Sequence, residues 1–232
     1  SRDAMIDIMN RFPEEETALR EMERVFHSHV DKKEQPDEAF YINAASMMKT
    51  LKRQFPERFP RHFQLIAAVD RNWGNKGQML TVIPADQKLF RQETMGKIIV
   101  MGYKTFLTFP AQRPLDGRIN LILTKKKALS VKGAEICHSV EEALVRIDEL
   151  KQEKHLTDVD VVIIGGESVY RQFLPFCDTA QITWIDFSYV ADTHMVDLEK
   201  EGWELVRRSG EQTFFNLCYE FREYRKLEKE SL

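Results

Sequence analysis

The sequence predicts an α/β protein with a mostly parallel central sheet flanked by helices, a helical hairpin before the sheet and an antiparallel hairpin at its end. Three observations support this prediction. The first 60 residues contain no glycine, the following segments alternate short apolar runs with amphipathic stretches, and the last segment alternates apolar with polar residues. Strands that alternate with helices favour a parallel sheet covered on both faces. We therefore expect two domains, a helical extension of residues 1–60 and an α/β domain of residues 61–232.

The predicted extension consists of two helices. Pro13, followed by three glutamates, marks the start of the first helix, and Pro36, followed by two acidic residues, marks the start of the second. Apolar residues recur at helical spacing after each start. Because two amphipathic helices bury little surface alone, we expect the extension to dock on the α/β domain, on a second copy as a homodimer, or on a partner. Docking or dimerisation is the favoured interpretation.

Five short apolar runs are predicted strands: residues 63–69, 98–101, 119–123, 161–164 and 181–185. Residues 84–94 and 139–150 are predicted helices, the second with a capping-box signature in Ser139 and Glu142. Residues 203–208 and 213–222 are predicted to form a C-terminal hairpin, because the second run alternates apolar and polar residues and so has one face to bury.

The composition excludes several classes of protein. The chain has 232 residues, 34 basic and 37 acidic side chains, a formal net charge of -3 and 43% hydrophobic residues. Disordered chains combine low hydrophobicity with high net charge, and nucleic-acid-binding domains carry excess basic charge. No apolar run approaches the roughly 20 residues of a membrane helix, and the first residues are too acidic for a signal peptide. We expect a cytoplasmic protein without a nucleic-acid or membrane partner.

Glycine-containing turns after two predicted strands indicate phosphate binding. Gly165 and Gly166 follow one strand, and Gly102 follows another, with Lys104 and Thr105 next along the chain. Backbone amides at a helix start bind anions, and glycine lets a phosphate approach closely. A third strand ends at Thr124 and the lysines 125–127, which either bind a further phosphate or form a solvated loop. For each turn taken alone, an ordinary strand-to-helix connection is the alternative.

Three polar residues are candidates for chemistry. Asp86 falls in the first turn of a predicted helix with an apolar face, where a carboxylate needs a partner unless it is merely an acid near a helix N-terminus. Thr183 lies between apolar neighbours in a predicted strand, and a buried hydroxyl also needs a partner, which a backbone carbonyl could provide. Arg118 opens a strand and suits bidentate capture of a carboxylate, although an exposed arginine is the simpler alternative.

In this order the residues resemble the dihydrofolate reductase family, from about residue 63 to residue 224. The motifs that carry the resemblance are residues 65–74, 83–86, 101–105, 113–118 and 165–175, then Thr183 and residues 191–194. Each motif is weak alone, but their order and spacing match the family. We expect that family's fold from residue 61 onward, with the helical extension outside it and no fused thymidylate synthase domain.

The resemblance implies reduction of 7,8-dihydrofolate to 5,6,7,8-tetrahydrofolate by NADPH. Asp86 would be the acidic group of the pterin pocket and would assist protonation of the pterin, while Thr183 would hold its carboxylate. The substrate would also contact Ala67, Phe90, Leu115 and Arg118, the last of these through the glutamate α-carboxylate.

The resemblance also implies an NADPH site and no metal site. Gly165 and Gly166 would be joined by a cis peptide bond. The residues implied in cofactor binding are Ala68, Trp73, Met79, Gly102, Lys104, Thr105, Thr124, Lys125, Ile164, Gly165, Gly166, Glu167, Ser168, Val169 and Tyr170.

Three departures from the family pattern affect these expectations. Thr81 stands where many members have a tryptophan, Tyr103 stands where an arginine often meets the adenosine 2′-phosphate, and Ser168 replaces another arginine found in some members. A preference for NADPH over NADH then depends on Lys104 and Lys125, which bind phosphate as point charges rather than as a fork.

Two other functions stay open at this point. A pteridine or pyrimidinone reductase of the same fold would not need Asp86 or Arg118 in these roles. A catalytically weakened reductase domain could serve as a binding module through its N-terminal helices, which the departures favour and which the retention of Asp86, Thr183 and Arg118 opposes.

Overall fold

The computed structural model describes residues 60–75 and 83–227. The contacts divide the chain into the units Ser1–Pro60 and Arg61–Leu232, and all the described helices and strands belong to the second unit. The predicted helical hairpin, Met79 and Thr81 lie outside the described residues.

Most secondary structure belongs to one large sheet. Its strands are β1 (Phe63–Val69), β3 (Ile98–Gly102), β4 (Ile119–Leu123), β5 (Ala134–Cys137), β6 (Val161–Gly165), β7 (Cys177–Ile185), β9 (Trp203–Arg208), β10 (Gln212–Phe214) and β11 (Leu217–Lys226). Two short strands, β2 (Gly74–Asn75) and β8 (Thr193–His194), pair separately. The helices are α1 (Pro84–Thr94), α2 (Tyr103–Phe106), α3 (Val140–Lys154) and α4 (Glu167–Phe173), with short 3-10 turns at Pro110–Gln112, Asp158–Asp160 and Leu174–Phe176.

The strand order within the described residues is β10-β11-β7-β1-β6-β3-β4-β5, and β9 also pairs with β11. Neighbours from β7 to β5 are parallel, whereas β11 runs antiparallel to β7, β9 and β10. The predicted fold class, a mostly parallel sheet followed by antiparallel strands, is confirmed.

Alternate residues of the central strands enter two cores, one on each face of the sheet. Ile98 and Val100 belong to the core that includes residues of α3 and α4. Ile99 and Met101 belong to the opposite core, against which Phe90 of α1 packs. Because both faces are covered, these strands are apolar at almost every position, as expected for a parallel sheet.

The predicted strands and helices of the parallel region are all present, although the prediction omitted β5 and the first four residues of β7. Helix α1 has the predicted bounds, beginning at Pro84 and ending at Thr94. Helix α3 begins after Ser139, whose side chain accepts the N–H of Glu142 as the capping box predicts, and it continues to Lys154. None of the described helices is long and apolar enough to cross a membrane.

The prediction of one strand over residues 213–222 with a single buried face is wrong. The chain turns at Phe215, which has φ 52° and is 89% exposed, so that β10 and β11 are separate strands. Strand β11 lies inside the sheet, with β7 on one side and β9 and β10 on the other. A strictly alternating strand would place Glu220 and Glu223 on opposite faces, only one of them buried. Both are buried here, because arginine side chains cover them.

Candidate active site

The carboxyl ends of the parallel strands bring most of the predicted site residues to one edge of the sheet. Gly102 ends β3 and Gly165 ends β6, while Ala68 lies near the end of β1 and Thr183 near the end of β7. In the register of the sheet, Ala68 is opposite Thr183. Ligands of open α/β sheets bind outside this edge, so the topology supports a site here.

A carboxylate and a hydroxyl form the centre of this site. The Thr183 hydroxyl, on β7, donates a hydrogen bond of 2.6 Å to Oδ1 of Asp86, in the first turn of α1. Thr183 is only 1% exposed, so the prediction that this threonine is buried and needs a partner is confirmed. Burial raises the pKa of the Asp86 carboxyl, and the hydrogen bond from Thr183 lowers it by a smaller amount. The result is a carboxyl group that holds its proton more strongly than an exposed aspartate does.

An apolar wall continues from Asp86 along helix α1. Phe90 lies one helical turn after Asp86 and packs against the same core as Leu115, which lies in the loop before β4. Ile66, in the middle of β1, and Ile164, near the end of β6, belong to that core. The structure therefore packs Phe90 and Leu115, two residues predicted to contact the substrate, against one core.

Arg118 lies beyond this wall, beside the last turn of α1. Its Nε donates to the carbonyl oxygen of Asp116 at 3.0 Å, and its Nη1 donates to Oγ1 of Thr94 at 3.3 Å. Its pKa is lowered, first by burial and then by the positive charge of Arg91, while Asp116 acts in the opposite direction. No carboxylate of the described residues forms a salt bridge with Arg118, so its guanidinium is available to an anionic ligand.

Two glycine turns meet at the same edge. The peptide bond between Gly165 and Gly166 is cis, as expected, and Gly165 has φ 114°. A Cβ on Gly166 would lie 3.4 Å from Oγ1 of Thr105, and a Cβ on Gly102 would lie 3.3 Å from a methyl group of Val169. The turns after β3 and β6 therefore pack closely, and they present backbone rather than side chains to a ligand.

A family model described as dihydrofolate reductase matches residues 62–226 of this chain. The chain belongs to the dihydrofolate reductase family. This match covers the described unit except for its first and last residues.

Individual dihydrofolate reductases support this membership. The chain is 33% identical to the type 3 enzyme of Salmonella typhimurium over 147 residues, which are 62% of this chain and 85% of that protein. It is 33% identical to a dihydrofolate reductase of Haloferax volcanii over 162 residues, 68% of this chain and 82% of that protein. The solved structure of Enterococcus faecalis dihydrofolate reductase with NADP(H) and RAB-propyl superposes with a TM-score of 0.61 at 25% identity, and covers 72% of this chain and 97% of that one.

The cofactor of a dihydrofolate reductase, NADPH, has a suitable surface in this chain. The close packing of Gly102 against Val169 and of Gly166 against Thr105 leaves backbone groups at the ends of β3 and β6. Lys104 and Lys125 are exposed on adjoining turns, next to Thr105 and Thr124. A backbone surface that admits close contact, with hydroxyls and cations at its edge, fits the phosphates of a dinucleotide.

Lys126, which the motifs did not single out from its lysine run, is placed at the same end. Its ammonium lies 4.6 Å from the centroid of the Tyr103 ring, a cation–π contact. Its backbone N–H is held by Oγ1 of Thr124 at 3.2 Å. In this dihydrofolate reductase a positive charge therefore stands beside the tyrosine that replaces a family arginine.

Two of the predicted cofactor residues have side chains in the core. Val169 is 4% exposed and Tyr170 is 3% exposed. The Tyr170 hydroxyl lies 2.8 Å from the carbonyl oxygen of Ile66 and 2.9 Å from that of Ile164, so it joins β1 to β6. Only the backbone of these two residues is left for the predicted cofactor role.

The remaining predicted residues have internal partners. The side chain of Glu167 pairs with Arg171, and the hydroxyl of Ser168 accepts a hydrogen bond from the side chain of Gln172. Ala67 is buried within β1. Trp73 is buried with φ 58°, and its ring packs edge-on against Tyr224.

Sequence reasoning missed Asp70, which shapes the turn that carries Trp73. Asp70 is fully buried, and its carboxylate accepts N–H groups of Asn72 and Gly74 at 2.8 Å and of Tyr189 at 2.9 Å. A Cβ on Gly74 would lie 2.9 Å from this carboxylate, so only glycine fits. The signal in the sequence was an acidic residue directly after an apolar strand and four residues before the first glycine.

Proposed function

We propose that this chain reduces 7,8-dihydrofolate to 5,6,7,8-tetrahydrofolate with NADPH, and that Asp86, held by Thr183, is its proton-handling group. The proposal depends on one observation, the hydrogen bond of 2.6 Å between these two side chains. The chain that contains it belongs to the dihydrofolate reductase family. NADPH, when bound, supplies a hydride to the pterin ring.

The Asp86–Thr183 pair is suited to protonating the pterin. Burial raises the pKa of the Asp86 carboxyl towards the range in which a side chain exchanges protons near neutral pH. Thr183 donates to Oδ1 and leaves Oδ2 to accept N–H groups of the pterin. The carboxyl group would thereby orient the pterin and favour protonation at the ring nitrogen next to the reduced carbon, through a water molecule.

Helix α1 supports the orientation of the whole substrate. Asp86 lies in its first turn and Thr94, which contacts Arg118, is its last residue. Eight residues of helix rise about 12 Å, so the two polar groups mark the two ends of an elongated ligand. We assign the pterin to Asp86, the aminobenzoyl ring to Phe90 and Leu115, and the glutamate α-carboxylate to Arg118.

We assign the cofactor to the edge formed by β3, β4 and β6. Gly102, Gly165 and Gly166 would contact the pyrophosphate region through backbone, and Thr105 and Thr124 would donate hydroxyls. Lys104 and Lys125 would supply the positive charge. Ala68, Trp73, Met79 and Ile164 would border the nicotinamide, and residues 167–170 would continue the surface.

The test is dihydrofolate-dependent oxidation of NADPH by the full chain, followed by nicotinamide absorbance. Asp86→Asn should lower turnover by about 10²-fold or more, the contribution of a positioned general acid, and should leave NADPH affinity nearly unchanged. Equal losses of turnover and NADPH affinity would contradict the role of Asp86. A folded chain without turnover would instead favour the binding-module function.

Two further expectations concern properties that the active site does not determine. One is a cytoplasmic location, and the other is contact with a second copy or a partner through residues 1–60. Cell fractionation would test the first. Sedimentation of the full chain over a range of concentrations would test the second.

A further inference from the structure

We propose that Met95 is a site of reversible oxidation by peroxide, and that its sulfoxide weakens the binding of the glutamate part of dihydrofolate. The oxidation itself does not depend on the proposed function. Its effect on the substrate rests on the proposed function, and in particular on the assignment of the glutamate α-carboxylate to Arg118.

Met95 is the most accessible methionine of residues 60–75 and 83–227. It follows directly after the last residue of α1, and it is 40% exposed. Met101 is fully buried in β3, and Met195 is 3% exposed. Because susceptibility to a dissolved oxidant follows exposure, peroxide should modify Met95 well before it modifies the other two.

The reaction needs only hydrogen peroxide and the thioether. The sulfur takes one oxygen atom: an S–O bond forms, the O–O bond breaks, and the other oxygen leaves as water with both protons. Sulfur is thereby oxidised by two electrons, and peroxide is reduced. The product, methionine sulfoxide, is polar and chiral, and methionine sulfoxide reductases convert it back to methionine.

The Met95 thioether packs against the turn that leads into Arg118. A Cβ on Gly117 would lie 2.5 Å from Sδ of Met95 and 3.6 Å from its Cε. The sulfur therefore fills the space that a side chain at Gly117 would need. Gly117, which has φ 72°, is also bonded to the residue after Met95, because its carbonyl oxygen accepts the N–H of Gly96 at 2.7 Å.

An oxygen atom on this sulfur would be unfavourable in the observed packing. A sulfoxide oxygen needs a hydrogen-bond donor or water, and a polar group that is buried without one costs free energy. The Gly117 carbon beside Sδ offers neither. The oxidised side chain should therefore turn towards solvent and lose its contact with the turn.

The loss of this contact should affect Arg118, because the same turn holds its side chain. Nε of Arg118 donates to the carbonyl oxygen of Asp116 at 3.0 Å, and Gly117 lies between these two residues. A change at Gly117 therefore shifts the guanidinium. Asp86 lies in the first turn of α1, at the opposite end of the helix from Met95, so the pterin end of the site should be unaffected.

Peptide mapping by mass spectrometry tests the oxidation itself. The folded full chain is treated with limiting hydrogen peroxide, and the rates at which Met95, Met101 and Met195 gain an oxygen atom are compared. Met95 should react much faster than the other two, and the three rates should become similar in urea. Equal rates in the folded chain would overturn the proposal.

Kinetics of the treated chain test the consequence for the substrate. Oxidation should raise the KM for dihydrofolate about two- to fivefold, less than the loss of a hydrogen bond to a charged group would. The value of kcat should change little, and so should the KM for dihydropteroate, the analogue that lacks glutamate. Incubation with methionine sulfoxide reductases and a dithiol should restore the original KM.

Two variants separate Met95 from the other methionines. Met95→Leu keeps the approximate volume of the side chain but has no sulfur, so its KM should be close to that of the original chain and should stay there under peroxide. Met195→Leu, the matched control, removes a buried sulfur. It should respond to peroxide as the original chain does.

The possible failures are distinguishable. If the untreated chain does not reduce dihydrofolate, the proposed function fails, and peptide mapping still decides whether Met95 is an oxidation site. If treated Met95→Leu loses affinity as much as the treated original chain, another methionine causes the loss and the effect on Arg118 is wrong. The effect on Arg118 is also wrong if Met95 is oxidised and the KM stays constant or rises equally for both substrates.

Discussion

The Asp86 carboxyl group lies where its ionisation is unfavourable. The free energy of unfolding of the protein should therefore depend on pH. The pKa of Asp86 is raised by burial. Above the ordinary pKa of an aspartate the unfolded chain ionises first, so it binds fewer protons than the folded chain and the free energy of unfolding falls as pH rises. The fall ends once the folded-state group also ionises. Asp86→Asn should remove this loss and raise the melting temperature at neutral pH.

The comparison of melting temperatures should therefore depend on pH. The difference between Asp86→Asn and the original chain should be smallest in acid, where Asp86 is protonated in both states, and should grow towards neutral pH. Glu211→Gln, at an exposed position, should show no such trend. A variant that is less stable than the original chain at neutral pH would mean that the carboxylate has a stabilising partner in the folded protein.

Lys126 should contribute to the choice between NADPH and NADH. Its ammonium lies over the Tyr103 ring, beside the exposed Lys104 and Lys125. An exposed ion pair contributes about 0.2–1 kcal/mol, so Lys126→Gln should raise the KM for NADPH about two- to fivefold. The KM for NADH, which lacks the 2′-phosphate, should stay unchanged in steady-state assays.

Lys127→Gln is the matched control, because Lys127 is also exposed and is adjacent in sequence. The effect of Lys126→Gln should shrink as salt is added, since exposed charges are screened over about 8 Å at physiological ionic strength. Equal effects of the two substitutions on NADPH would show a general attraction to the lysine run rather than a contact at Lys126.

Individual site residues were predictable from the sequence to different degrees. The burial of Thr183 follows from its apolar neighbours, but nothing local shows that its partner is Asp86, 97 residues away. That pairing came from the family resemblance. Asp70 was missed because its three partners are backbone N–H groups, which have no signature in the side-chain sequence.

The predicted bounds of helices and strands were right where the apolar periodicity of the sequence matches the burial of the residues. They were wrong where pairing between distant strands determines the bounds. Strand β5 was missed because it is short and contains Ala134 and Glu135 at the edge of the sheet. The break between β10 and β11 was missed because Phe215 continues an apolar alternation although it occupies the turn. The pattern could not show that β11 would have strands on both sides.

The N-terminal cap of α3 gives a prediction about this element alone. Oγ of Ser139 accepts the N–H of Glu142 at 3.1 Å, and the Glu142 carboxylate accepts the N–H of His138 at 2.8 Å. Ser139→Ala should lower the free energy of unfolding by about 1 kcal/mol, or the melting temperature by about 2–4 °C in a domain of this size. Urea unfolding followed by circular dichroism measures the change.

The helix cap at Ser139 should affect stability but not enzyme activity. Helix α3 packs in the core that excludes α1, so kcat and KM of Ser139→Ala should match those of the original chain. Ser130→Ala, in an exposed loop, should change neither stability nor activity. An unchanged urea midpoint in Ser139→Ala would mean that a hydrogen bond from the Glu142 N–H to water stabilises the helix as well as the Ser139 hydroxyl does.

For the whole molecule, residues 60–75 and 83–227, which the structure describes, contain the sheet and nearly all the predicted site residues. Asp86, Arg118, Gly165 and Thr183 are distant in sequence. The parallel sheet brings Gly165 and Thr183 to one edge, at the ends of β6 and β7, and helix α1 carries Asp86 in its first turn and contacts Arg118 through its last residue, Thr94. The order of elements along the chain was readable from alternating patterns, but the order of strands in space was not, since it depends on packing that no local pattern records.

This organisation leads to a prediction about the N-terminal unit. The family match begins at residue 62, and Arg61 is already fixed by a double hydrogen bond to Asp148 on α3. A chain of residues 61–232 should therefore fold and keep kcat and both KM values within about twofold, a difference below about 0.5 kcal/mol. Sedimentation of the two chains should differ if residues 1–60 bind a second copy, and should agree apart from mass if they do not. A folded 61–232 chain without turnover would show that the extension completes the active site, and the predicted domain boundary would then be wrong as a functional one.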